Sequence, residues 1–300
     1  MPRRVLFGIS VTPNAVDHPR LVEQVLAAER GGLDLVGIQD HPYQRRFLDT
    51  FALIADLLAR TAHLRFFPDV ASLPMRGPTM IAKAAASLDV MSGGRFELGI
   101  GAGGFWDAVA GMGGPRRSNA EAFDALAEAI PVIRAALEVG PERRVVRGGG
   151  DHYPVPGYPP GPPPAHRVEI WVGAYRPRGL RLIGQLADGW VPSLGYLGPA
   201  AFRRAAARLD EAALEAGRDP RAIRRLYNLG GVITDGEVGE GPLSGPPERW
   251  IETLTGWALE LGVDGFIFWP GDAGTRQVER FAQEVAPAVA AGVAAAGRQP

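Results

Sequence analysis

The feature that most limits what this chain can fold into is an alternation repeated eight times: a short apolar run, a few small or polar residues, then a stretch with helical spacing. Runs of strand length fall at Val5–Val11, Leu35–Gln39, Leu64–Val70, Phe96–Ile100, Glu169–Gly173, Gly189–Val191, Arg225–Ile233 and Gly265–Trp269. Helical periodicity fills Pro19–Arg30, Asp49–Arg60, Pro78–Met91, Ala120–Leu137, Arg178–Ala187, Pro199–Glu215, Pro246–Leu261 and Thr275–Val289, and Gly31, Gly217 and Gly262 stand at helix ends. Eight alternations close a barrel, whereas an open α/β sheet, the rival reading, needs no such number. The expected architecture is a (β/α)8 TIM barrel whose ligand site lies at the carboxyl ends of the strands.

Two stretches interrupt the rhythm. From Gly140 to Arg167, and above all across Pro154–Pro164, the chain is too rich in proline and glycine for a helix interior, and it is expected to run as an excursion over the C-terminal face. Gly236–Pro247 is a second such loop. Neither has the apolar content of a separate domain, so residues 1–300 are expected to form one domain with an excursion at about 140–167.

Composition removes several function classes. With 32 Lys plus Arg against 33 Asp plus Glu, the net charge of −1 gives no long-range field to gather nucleic acid. The absence of cysteine excludes disulfides, thiolate nucleophiles and iron–sulfur ligation. No stretch reaches the roughly 18 uncharged apolar residues of a membrane span. Met1-Pro2-Arg3-Arg4 leads into too short an apolar run for a secretory leader, and a cytoplasmic setting is expected. His18, His41, His63, His152 and His166 include no i,i+4 pair, so no metal site is expected, and no G-x-S-x-G elbow marks a serine hydrolase.

Chemistry-bearing residues collect after the expected strands. His41 follows strand two; an imidazole there can exchange a proton near neutral pH, or it can be a structural hydrogen-bonding residue. Asp40 beside it either orients a partner or caps the next turn. After strand four, Gly101-Ala102-Gly103-Gly104 lets backbone approach a flat ring or a phosphate, or relieves crowding at the rim. It is not a dinucleotide fingerprint, since no helix opens on its last glycine. Phe105, Trp106 and Asp107 come next, an aromatic pair with a carboxylate. Gly173-Ala174 leads through Tyr175 to Arg176 and Arg178 at a helix start, a candidate anion site, with Arg116 and Arg117 a comparable pair.

Leu35–His41, then Met75–Pro78 and Ala82–Gly103 with the string S-G-G-R-F-x-L-G-x-G-x-G, resemble the bacterial luciferase-like family of flavin- and deazaflavin-dependent oxidoreductases. Ile170–Ala174 followed by Leu180–Trp190 is similar to a second hallmark of that family, and weaker matches run on to Pro287. The resemblance implies a (β/α)8 barrel with the cofactor ring over its mouth and His41 facing the reactive edge. It places at Ser72-Leu73 a bulge, often carrying a non-prolyl cis peptide, that supports the back of the ring. It further implies that Gly101, Ala102, Gly103 and Gly104 line the ring and that Gly173, Ala174 and Arg178, with Arg176 beside them, hold the phosphate end. Some deazaflavin-dependent relatives carry a glutamate where this chain has Gly104, which leaves Asp107 as the nearest carboxylate to serve with His41 as a catalytic group.

Asp40-His41 and the arginines near the rim favour F420 over FMN. The expected activity is F420-dependent hydride transfer to or from a small-molecule substrate. The alternatives are an FMN-dependent monooxygenase fed by a separate reductase, and a non-catalytic cofactor-binding protein. Family habit points to a homodimer, with neither nucleic acid nor membrane as partner.

Overall fold

The computed structural model describes residues 4–140, 144–271 and 274–297. The reading of Met1–Arg3 as no leader, and positions 141–143 of the excursion, lie outside the described residues.

The barrel strands are β1 (Leu6–Val11), β2 (Leu35–Ile38), β3 (Arg65–Pro68), β4 (Ala71–Ser72), β5 (Leu98–Gly101), β8 (Ile170–Val172), β9 (Gly189–Trp190), β10 (Arg224–Gly230) and β13 (Gly265–Trp269). Two small pairs stand apart: β6 (Val146–Gly148) with β7 (Val155–Tyr158), and β11 (Val232–Ile233) with β12 (Ser244–Gly245). The large sheet is parallel, in the order β3-β2-β1-β13-β10-β9-β8-β5-β4. It closes because the Phe66 N–H donates to the Arg95 carbonyl and the Glu97 N–H donates to the Phe66 carbonyl, both at 2.9 Å. β3 and β4 are one barrel position in two pieces, so the eightfold alternation holds and the (β/α)8 barrel is the fold.

Alternation along the strands sorts side chains between two layers. Phe7, Ile9 and Val11 pack outward against the helices, while Leu6, Leu35, Phe67, Trp171, Val191, Leu226 and Ile267 fill the barrel itself. Phe67 meets Trp171 edge-on at 5.0 Å. Glycine stands where these large side chains need room: a Cβ on Gly8 would lie 2.7 Å from that of Leu35.

The outer helices are α1 (His18–Arg30), α2 (Thr50–Arg60), α3 (Leu73–Arg76), α4 (Pro78–Ser92), α5 (Trp106–Gly111), α6 (Asn119–Leu137), α7 (Pro177–Leu186), α8 (Pro199–Glu215), α9 (Pro247–Glu260), α10 (Thr275–Arg280) and α11 (Ala286–Ala295). Their starts follow the expected chemistry. The Asp49 side chain accepts from the Ala52 N–H, Ser118 and Glu121 form a reciprocal capping box, and α4 ends on Gly93 in the left-handed conformation. The last helix is broken by a π-turn at Phe281–Val285, and α3 and α5 are additions that periodicity did not predict.

The S-G-G-R-F string proves to be scaffold. Arg95 donates to the carbonyls of Leu58, Leu64 and Ser92 and to the Thr61 hydroxyl, satisfying the end of α2. The proline-rich excursion runs along α4 and α6. The His152 and Tyr153 N–H groups donate to Glu128, and Tyr153 reaches the rim of the mouth, donating to the Leu73 carbonyl at 3.2 Å.

Candidate active site

β2 ends at Ile38, and the following loop carries Asp40 and His41. Asp40 is buried and fully engaged: it accepts from the Ser72 N–H at 2.9 Å and from Arg76 through Nε at 3.0 Å and a terminal nitrogen at 2.8 Å. Arg76 also pairs with Asp49 at 2.7 Å and lies over the Phe51 ring. Asp40 does not cap the turn that follows it; its carboxylate ties the β2 loop to β4 and α3.

His41 is half-buried beside Asp40. Its Nδ1 lies 2.7 Å from the Tyr43 hydroxyl, and its ring sits among Tyr43, Phe47 and Phe105, with Phe105 edge-on at 5.7 Å. Burial lowers the pKa of His41, opposed by the charge of Asp40, so the imidazole is neutral at pH 7. Burial pushes the Tyr43 phenol up to about 12, so it keeps its hydrogen. Phe105, exposed and in the left-handed region at φ 51, caps α5 and completes the aromatic wall.

The bulge after strand three lies earlier than Ser72-Leu73. The non-prolyl cis peptide joins Asp69 to Val70, where the chain leaves β2 (the Asp69 N–H donates to the Ile38 carbonyl) and rejoins the sheet beside β5 at Ala71. Ser72 and Leu73 are buried behind it. Val70 is wedged between the ends of β5 and β8: a Cβ on Gly101 would lie 2.8 Å from a Val70 methyl, and one on Gly173 would lie 3.3 Å away. Gly101 and Gly173 thus make room for Val70. Gly103, at φ 103, lets Pro74 and Trp106 close in, and Gly104 faces open space. Ala102 and Ala174 are buried, and the Ala174 carbonyl accepts from the Trp190 indole at 2.8 Å.

Asp107 and the arginines fall differently from one another. Asp107 is nine-tenths exposed and paired with Arg116. Arg117 is buried, 2.9 Å from the Tyr153 hydroxyl and stacked on its ring. Arg178 pairs with Asp124 on α6. Arg176, at the start of α7, has no side-chain partner among the described residues, and α7 carries no side-chain cap. Its first N–H groups and Arg176 therefore fit an anionic group.

Asp69 is the carboxylate that sequence reading missed. It lies between Ser10 on β1, whose Oγ is 3.1 Å from Oδ2, and Asn228 on β10, whose Nδ2 donates to Oδ1 at 3.1 Å. The signal was an aspartate at the carboxyl end of an expected strand, but its partners stand 59 and 159 residues away. Nearby, Asn228 Oδ1 and Trp269 Nε1 are buried without protein partners. One acceptor and one donor left open on neighbouring strands at the mouth suit a polar heterocycle such as a flavin-type ring.

The model of the luciferase-like monooxygenase family matches residues 6–237. The chain belongs to this family. An uncharacterized protein of Mycobacterium tuberculosis is 32% identical over 190 residues, 63% of this chain; the match spans 62% of that relative's length. The F420-dependent glucose-6-phosphate dehydrogenase of Gordonia bronchialis is 29% identical over 236 residues, 76% of this chain and 69% of the relative. Among solved structures, an F420-dependent secondary alcohol dehydrogenase, in complex with an F420–acetone adduct, superposes with a TM-score of 0.83 over 95% of this chain and 99% of that one. At 19% identity that likeness shows the barrel fold. No described helix is long and apolar enough to cross a membrane.

Proposed function

We propose that this luciferase-like oxidoreductase uses the deazaflavin F420 to move a hydride between the cofactor ring and the alcohol or carbonyl carbon of a small organic substrate. The observation that carries the reading is a neutral imidazole, His41, fixed by Tyr43 inside an aromatic wall at the barrel mouth. The F420-dependent relative supports this cofactor. The rim arginines support it less than the sequence suggested, because Arg116, Arg117 and Arg178 are engaged within the protein.

When bound, the deazaflavin supplies or accepts the hydride. Arg176 and the first turn of α7 would hold its phosphate; Val70 and the open face at Gly104 would take the ring. His41 handles the proton. With Nδ1–H donating to the Tyr43 oxygen, Nε2 carries a lone pair and accepts the hydroxyl proton as the substrate carbon loses its hydride. The reverse reaction uses the imidazolium, which returns that proton to the carbonyl oxygen. Phe47 and Phe105 limit water around the imidazole.

The test is anaerobic titration of the ligand-free protein with F420 and with FMN, followed by ring fluorescence, then turnover of alcohols and ketones. F420 binding at micromolar concentration or tighter is expected. Replacing His41 with alanine should leave Kd within a few-fold and slow turnover about 100-fold or more. Because the pKa of His41 is lowered, alcohol oxidation should hold through neutral pH and decline only below about 6.5, as the base form disappears. The family match itself favours a second reading, FMN-dependent monooxygenation by way of a separate reductase. Oxygen uptake with reduced FMN and no binding of F420 would establish it. The expected homodimer stands as a proposal on family habit, checked by sedimentation.

A further inference from the structure

The wall of the mouth opens into a cleft that the steps above do not use. It has a volume of about 180 Å³ and is bounded by the ends of β1 and β13, the loop that follows β1 and the first turns of α1. That is the space of about six water molecules, too small for a tricyclic ring and suited to a short chain with a polar end.

Its place in the fold ties it to the candidate active site. Ser10 and Trp269, which line it, continue the inward-facing rows that carry Leu6 on β1 and Ile267 on β13. The loop after β1 is laced to the loop after β2: the Ala15 N–H donates to the Arg46 carbonyl and the Leu48 N–H to the Pro13 carbonyl, both at 2.8 Å, and Asn14, on the lip of the cleft, pairs with Phe47. Phe47 in turn packs on His41, with ring centroids 6.5 Å apart. A single aromatic residue thus connects the cleft to the imidazole.

The floor is polar and uncharged. Ser10 is 1% exposed, and its one hydroxyl hydrogen faces the Gly37 carbonyl and the Asp69 carboxylate, so toward the cleft its oxygen can only accept. Gln24, from α1, is 8% exposed, and its amide makes no hydrogen bond to another described residue. An amide placed this deep with its donors and acceptor unused calls for a polar guest. Asp17 and Arg20 stand exposed at the entrance with opposite charges, so the floor itself offers no cation to a carboxylate or phosphate. A hydroxyl fits better: it can donate to Ser10 and exchange a hydrogen bond with Gln24.

We propose that this cleft is a specificity pocket for a neutral hydroxyl group of the substrate, several bonds away from the carbon that exchanges the hydride, and that Gln24 is the residue that selects it. This rests on the reading that the mouth carries out hydride transfer at His41.

The test reduces a series of unbranched 2-alkanones of increasing length, each beside its terminally hydroxylated and terminally carboxylated counterpart, with reduced F420. At the chain length that reaches the cleft, wild type should favour the hydroxylated ketone over the plain one by about 10- to 100-fold in kcat/KM; Gln24→Leu, which keeps the bulk and removes the hydrogen bonds, should bring that ratio to within a few-fold of one, mainly through KM. A second measurement needs neither cofactor nor turnover. The side-chain amide signal of Gln24 in isotope-labelled protein, assigned by its absence in Gln24→Leu, should shift saturably with the hydroxylated ketone and not with the plain one. An unchanged ratio in the variant, a preference for the carboxylated compounds, or an amide signal that no hydroxylated ketone moves overturns the pocket and leaves the hydride-transfer reading standing. A saturable shift without turnover of any ketone upholds the pocket and overturns that reading.

Discussion

The two ends of this barrel treat charge differently. At the amino end every buried carboxylate meets a cation. Asp188 holds Arg134 and Arg167 and accepts from the Ile170 N–H. Glu97 holds Arg65 and His166, and Glu169 holds Arg224 and the Trp171 indole. At the carboxyl end Asp40 is paired with Arg76 in the same way, but Asp69 has only a hydroxyl and an amide, Asn228 and Trp269 each leave a polar atom open, and His41 is kept neutral. The first end pairs its buried carboxylates and holds the strands in register. The second keeps bonding capacity in reserve, as the proposed proton-handling site requires.

Breaking the paired end should give the largest change. Asp188→Ala takes the counter-charge from the half-buried Arg134 and the acceptor from the buried Ile170 N–H, and should cost about 3–5 kcal/mol in urea unfolding. Burial alone would raise the pKa of Asp188, but Arg134, the Ile170 N–H and Arg167 bring it below the usual range. Its contribution to stability is therefore present above about pH 4 and is lost as pH falls through the lowered value.

At the mouth the sign reverses. Asp69 has its pKa raised from 3.8 to about 6, so wild-type stability should fall as pH rises from about 4 to 6 and then level off. Asp69→Asn cannot ionise; it should match wild type near pH 4 and exceed it by roughly 3 kcal/mol at pH 8, taking about 1.4 kcal/mol per pKa unit. Equal stability at pH 8 would erase the contrast between the two ends. The smallest effect belongs to Asp107→Asn: with its carboxylate exposed on α5 and bound to Arg116, thermal midpoint and turnover should both stay at wild-type values. A loss of turnover there would return Asp107 to the catalytic role its sequence position suggested.

The sequence disclosed the scaffold more fully than the site. Strand and helix periods are local, so the eight alternations could be read directly, as could His41, which follows its strand at once. The break at Asp69-Val70 could not, because Leu64–Val70, with Arg65 and Asp69 among its apolar residues, reads as a single strand, and the chain changes neighbours without any glycine to mark it. Small residues misled in the other direction. Gly101 looked like ring-lining backbone and Gly173 like part of a phosphate site, but the space they leave is taken first by Val70, a neighbour that only the closed barrel reveals. The rim arginines were legible as charges while their partners Asp107, Tyr153 and Asp124 were not, since those pairings are tertiary.

The Arg95 clamp bears on how such chains are sorted. The stretch Ser92–Gly103 that most readily identifies this chain's kin secures the ends of helices, so a pattern built on it gathers barrels of one construction whatever they oxidise. Ser10, Asp69 and Asn228, scattered across three strands and conspicuous in none, make the sharper criterion: chains sharing all three should form a subgroup with a common pH signature, even where their substrates differ.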